Sequence, residues 1–276
     1  MSLPRRLPPW FCEMRLYTYV LKLQLLNALA YRFEYLSAIG RNLCFLLGSV
    51  FLWRTAYRGI DQVAGVTEAQ MVTYAVVAVL MNACFTIRID NVLFGKVRAG
   101  EIAVDLIRPV NLVRYWMTED VGRSLAALTQ FVLPVFAISL FFVAPPYPAG
   151  VIPWMLFLPS CVLSFLLLWQ LSALVGMTAF WVTDFGDVTT VKNSLVFALS
   201  GRLVPMWLFP DAVAQVSRWR PFQYTFQAPL EIYIGRIPAV EAGHVLAVQA
   251  GWVVVLFVAV GLVWDRAQRR LFVQGG

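Results

Sequence analysis

Histidine is almost missing from this sequence. His244 is the only one, and it stands beside Glu241 with neither metal-ligand spacing nor a nucleophile to serve. A structural or interfacial pair is the reading that remains. Cysteine is scarce too: Cys12, Cys44, Cys84 and Cys161 fall one to a segment with no CxxC, which argues against a disulfide framework or a metal knuckle. They read as small buried hydrophobes. Charge is the third shortage, since 13% of the 276 residues are charged where a soluble domain carries about 25%. A phosphate loop is absent as well. The one Gly-Lys pair, Gly95-Lys96, has Asp90 where the loop needs glycine and Val97 where it needs serine or threonine.

What is present is apolar: 60% hydrophobic residues and a mean hydropathy of +0.72 describe an integral membrane protein. The net charge of +7 then marks membrane flanks and anionic headgroups, and nucleic acid is set aside as a partner. The start, MSLPRRLPPWFCEMR, has no uninterrupted apolar core before Glu13 and Arg15, which speaks against a cleavable signal peptide. Repeats, low-complexity tracts and a long polar stretch are lacking, so 1–276 reads as one membrane domain.

The expected fold is an all-α membrane protein with six transmembrane helices, an N-terminal interfacial helix and short outer half-helices before the last span. Residues 10–34 carry Arg15, Lys22, Arg32 and Glu34, too many charges for a crossing, and read as the interfacial helix. Spans follow near 35–53, 70–87, 121–143, 151–183, 188–209 and 245–264, each judged against the ~20 residues that cross a bilayer. Residues 88–120 form a charged loop, and APPYPAG at 144–150 a turn. The fifth span contains Lys192 and Arg202 and is broken by Pro205 and Pro210. Parity requires it if both termini face the cytoplasm. On that topology fifteen Lys and Arg lie inside and five outside, the bias expected of a cytoplasmic membrane protein with both ends inside. Residues 210–238 are cut by prolines into pieces too short to span and read as half-helices dipping into the outer leaflet.

Residues 95–110, GKVRAGEIAVDLIRPV, are the densest run of alternating charge. At 100° per residue Arg98, Glu101, Asp105 and Arg108 share one face and Ile102, Ala103, Leu106 and Ile107 the other, with Pro109 as the stop. This predicts a short two-faced cytoplasmic helix, suited either to docking or merely to keeping a loop wet. Arg41 and Arg202, within spans, are candidates for a translocation path, although Arg41 also has the reach to snorkel to the headgroups. Asp184 and Asp187, at i and i+3, read as a solvated helix end. Trp207, Trp219, Phe222, Tyr224, Phe226 and Tyr233 form either an interface belt or a stacking surface for apolar or cationic ligands.

The stretch GEIAVDLIRP at 100–109 has the form Gly-x-x-x-x-Asp-x-x-Arg-Pro and resembles the first cytoplasmic loop of permease subunits of type-2 ATP-binding-cassette exporters. SGRLVPMWLFPDAV at 200–213 and RPFQYTFQAPLEIYIG at 220–235 resemble the passage before the final span of that group. Arg202, Arg218 and Arg220 are more charge than the pattern leads one to expect. The resemblance implies a second permease, identical or related, and two separate ATPase subunits carrying ATP and Mg2+, with no cofactor in this chain. It implies that the loop helix sits in a groove of the ATPase. Arg98, Glu101, Asp105 and Arg108 would then make rim ion pairs, and Ile102 and Leu106 would be the buried anchors. The implied cargo is a hydrophobic or amphipathic small molecule, drug or lipid-like, moved outward without catalysis by this chain. The alternative is an ion-coupled secondary transporter, for which the near-midplane groups Arg41, Lys192 and Arg202 offer no carboxylate.

Overall fold

The computed structural model describes residues 9–30, 32–182, 188–210 and 221–274. Asp184, Asp187, Arg218, Trp219 and Arg220 lie outside them. The chain runs through α1 (Pro9–Ala30) and α2 (Arg32–Ala56) to a hairpin of β1 (Gln62–Val63) and β2 (Val66–Thr67). Ala64 and Gly65 turn the hairpin with φ of 52° and 78°, the pair of positive values a tight two-residue turn needs. Thr67 then starts α3 (Glu68–Cys84), its hydroxyl accepting from the Gln70 amide while the Gln70 side chain accepts from the Thr67 amide.

An elbow of two short helices follows, α4 (Ile89–Arg98) and α5 (Ile102–Leu106), and then α6 (Leu112–Ala127). One π-helical turn, Leu128–Val132, joins α6 to α7 (Leu133–Ser139). Pro134 has no N–H and its ring crowds the preceding turn, which accounts for the widened turn there. After residues 140–150 come α8 (Val151–Met177), α9 (Val188–Leu199), α10 (Gln223–Tyr233) and α11 (Ala239–Gln274).

Five stretches among the described residues are long and apolar enough to cross a membrane: Leu36–Ala56, Glu68–Arg98, Leu112–Ser139, Val151–Phe180 and Ala239–Arg270. The protein is an all-α membrane protein. Its two ends can be called after the β-hairpin and the elbow. α8 finishes at the elbow end and α11 begins at the hairpin end, so the chain returns between them through α9. Its 12 residues reach about 18 Å at 1.5 Å per residue, short of a ~30 Å hydrocarbon core. The helix expected over 188–209 is therefore half that length, and an irregular turn ending in a 3-10 turn at Met206–Leu208 continues it.

α6 begins at Leu112, nine residues before position 121, where the third span is expected to start. Asp120 and Arg123 neutralise each other inside the helix. α1 lies along α6, where Gly122 leaves space that a Cβ would lose to Gln24 at 3.0 Å. α10 runs beside the hairpin half of α8, with Tyr233 packed on Phe157 and the Tyr224 carbonyl taking a hydrogen bond from Ser164.

Candidate functional site

The elbow is built on two buried carboxylates. Asp120 is 0% exposed and accepts from the Arg123 guanidinium at 2.7 and 3.0 Å, from the Trp169 indole at 3.0 Å and from the Arg88 amide at 3.0 Å. Four donors offset the cost of taking that charge out of water, and they tie the start of the elbow, α6 and α8 to one atom group. Asp90, in the first turn of α4, accepts from Lys192 Nζ at 2.6 Å, and the same ammonium donates to Ser172 Oγ at 2.9 Å. So α4, α8 and α9 meet at one ion pair. Gly176 of α8 lies against the α4 backbone, where an added Cβ would stand 2.8 Å from Asp90 Cα.

The two-faced helix expected across 98–108 does not form as one piece. Gly100, at φ 74°, closes α4, and α5 restarts with a different phase, so the 100° count does not run through the break. The faces are redistributed accordingly. Ile102 is 2% exposed and packs with Ile89, Leu93 and Leu112 in the core of the elbow end. Asp105 is buried as well, paired with Lys96 and with Arg108 at 3.4 Å, and Arg108 also lies over the Tyr115 ring. Leu106 is half-buried, while Arg98, Glu101 and Pro109 are exposed. The outward apolar residues are Val104 and Ile107, 61% and 82% exposed.

A cavity of about 530 Å3 opens between α3, α8, α9 and α10. Its lining includes Lys192 and Arg202, the polar side chains of Ser172, Thr190 and Asn193, and the rings of Phe85, Phe197 and Phe226. Arg202 donates through Nη1 to the Asn82 amide oxygen and lies 5.0 Å from the Phe197 ring centre and 5.7 Å from that of Phe226. Its Nε is buried without a hydrogen-bond partner. Arg41 sits on an exposed face of α2 and does not line this cavity, so the two arginines singled out in the sequence are not brought together.

The family model for the ABC-2 family transporter protein matches residues 43–275. The chain belongs to the ABC-2 transporter family. No curated protein matches the chain. Membership makes it a multi-pass transport permease subunit, a class that is generally not itself catalytic, and implies a partner ATPase that uses ATP and Mg2+.

In this ABC-2 chain Gly95-Lys96 lies inside α4, where Lys96 pairs with Asp105. Several polar contacts of the permease join residues far apart in the sequence. Ser160 Oγ donates to Gln249 Oε1 at 2.8 Å, and Gln249 Nε2 donates to the Tyr224 carbonyl at 2.9 Å, clasping α8, α10 and α11. A glutamine inside an apolar run is the signal that was available, because a polar side chain at that depth needs a partner. At the hairpin end Arg236 stacks 4.3 Å over Trp207, reaches Glu231 at 3.5 Å and donates to the Ala64 carbonyl at 2.7 Å.

Proposed function

We propose that the chain is the permease of an ATP-driven exporter for a hydrophobic or amphipathic small molecule, drug or lipid-like, working as one of two permeases above two ATPase subunits. The elbow end faces the cytoplasm with both termini, and α1 lies along the inner surface of the cell membrane. The fifth crossing is α9 with the turn after it, and α10 covers the exit side.

The observation that carries this reading is the elbow itself. Val104 on the five-residue α5 and Ile107 just after it project from the elbow. Its base, α4, is keyed to α9 and α8 by Asp90, Lys192 and Ser172 and by the close approach at Gly176, with Ile102 in the core. An apolar tip on a rigid base suits insertion into a groove, with Val104 and Ile107 as the anchors and Arg98, Glu101 and Arg108 at the rim. Asp105 and Ile102 hold the shape of the tip, and Leu106 and Pro109 flank it. ATP binding favours a closed ATPase pair, which draws the elbows together and shifts the population of the cavity between its two access states.

Co-purification of the chain with the ATPase encoded beside it tests the reading. Wild type retains the ATPase and Ile107→Asp loses it while still inserting in the membrane. Retention of the ATPase by Ile107→Asp defeats the docking role, and failure of wild type to bring down any ATPase defeats the exporter reading.

A further inference from the structure

The cavity between α3, α8, α9 and α10 holds two cations in different circumstances. Lys192 has its counter-charge, the Asp90 carboxylate at 2.6 Å. Arg202 has none: no carboxylate among the described residues comes within salt-bridge distance of it. A guanidinium stays protonated in proteins, so it cannot escape burial by giving up its charge. What it has is the neutral oxygen of Asn82, two ring faces and an Nε–H that points at no acceptor. Rings and an amide offset part of the cost of a buried cation and supply no counter-charge among the described residues.

The lining around it is two-natured. Phe85, Phe197 and Phe226 supply apolar walls, and the lining includes Thr190, Asn193 and Ser194 but no aspartate or glutamate among the described residues. The volume of about 530 Å3 is within the range of small-molecule sites. We propose that this cavity takes the anionic end of an amphiphile, Arg202 pairing a carboxylate or phosphate group while the phenylalanines hold the apolar part. Guanidinium and oxyanion match in charge and in fork geometry, and a bound anion completes the hydrogen bonding that the protein leaves open. The inference rests on reading the cavity as part of the transport path and narrows the cargo from amphiphiles in general to anionic ones.

The test uses the full-length chain in nanodiscs of phosphatidylcholine and measures retention of radiolabelled decyl phosphate above that of empty discs, beside decanol and decyltrimethylammonium. Decyl phosphate is expected to bind saturably and at least about tenfold more tightly than either. Arg202→Gln is expected to lower that affinity about tenfold or more, and Arg202→Lys to keep part of it. Asn82→Asp gives Arg202 an internal counter-ion without changing the size of the side chain, and is expected to abolish the preference even if Arg202→Gln does not fold. Decanol binding as tightly as decyl phosphate, or unchanged binding by Asn82→Asp, overturns the proposal. Replacing half of the lipid by phosphatidylglycerol separates the sources: displacement of decyl phosphate assigns the site to a lipid headgroup, and undiminished binding assigns it to a non-lipid amphiphile. No ATPase is present in this assay, so its failure is distinct from a failure of the exporter reading in co-purification.

Discussion

Lys192 Nζ lies 2.6 Å from Asp90 Oδ2, across 102 positions of chain, with both side chains buried. The contact joins the start of α4 to α9, and through Ser172 to α8, so the elbow and the short helix α9 share one electrostatic joint. Removing one member strands the other charge. Asp90→Asn is expected to destabilise the fold by about 3–5 kcal/mol, and the double variant Asp90→Asn/Lys192→Met to recover most of the loss. Unfolding in mixed micelles followed by tryptophan fluorescence reads both. Equal losses in the single and double variants would mean that the pair is not desolvated.

Gly176 sets how closely α4 can approach α8. A Cβ there would meet Asp90 Cα at 2.8 Å, Leu93 Cδ1 at 3.0 Å and the Ile89 carbonyl at 3.3 Å. Two of those three atoms are backbone, which cannot rotate away. Gly176→Ala is expected to cost about 1–3 kcal/mol, as overpacking does, and to weaken retention of the ATPase because the elbow is displaced. Gly95→Ala is the control. It lies in the same α4 with open space around it, and is expected to gain about 0.5–1 kcal/mol from reduced backbone entropy in the unfolded chain. Unchanged thermal stability of Gly176→Ala would show that the contact is slack.

The membrane fold was legible because hydropathy over about 20 residues is a property of local sequence alone. Helices α2, α3, α8 and α11 belong to stretches long and apolar enough to cross a membrane. The start of α6 was not legible. Glu119 and Asp120 fall in the stretch read as loop, and Trp169, 49 positions away, supplies a donor for Asp120 that local sequence does not show. The same blindness affected the elbow: Asp105 was placed on a solvent face, yet Lys96 and Arg108 fold over it, and a helical wheel cannot see that Gly100 resets the phase. Arg202 was flagged by its rarity in an apolar run, while its contact with Asn82, 120 positions away, was not foreseeable from either residue.

Gly201 offers the last prediction, because two independent effects act on one atom. Its φ of 73° is the left-handed region, and a Cβ would stand 2.5 Å from Gln227 Oε1 and 2.9 Å from Gln227 Cβ. That Oε1 is not free to leave, since it accepts from the Met206 amide at 3.0 Å, and the Gln227 amide itself donates to the Ser200 carbonyl. The strained backbone costs about 1–2 kcal/mol by itself. Gly201→Ala is therefore expected to lose about 2–4 kcal/mol, the excess over strain coming from the collision. Gln227→Ala removes the struck Oε1, though not Cβ, and also the bond to Met206, so its own loss is about 1–3 kcal/mol. In the double variant the contacts with Oε1 and Cδ are gone, and the Cβ–Cβ approach at 2.9 Å remains beside the strain and the lost bond. The combined loss should then fall short of the sum of the single losses by about 1 kcal/mol, a non-additivity that a double-mutant cycle in mixed micelles measures directly. Strict additivity would mean that the Gln227 amide end contributes nothing to the cost of a side chain at 201.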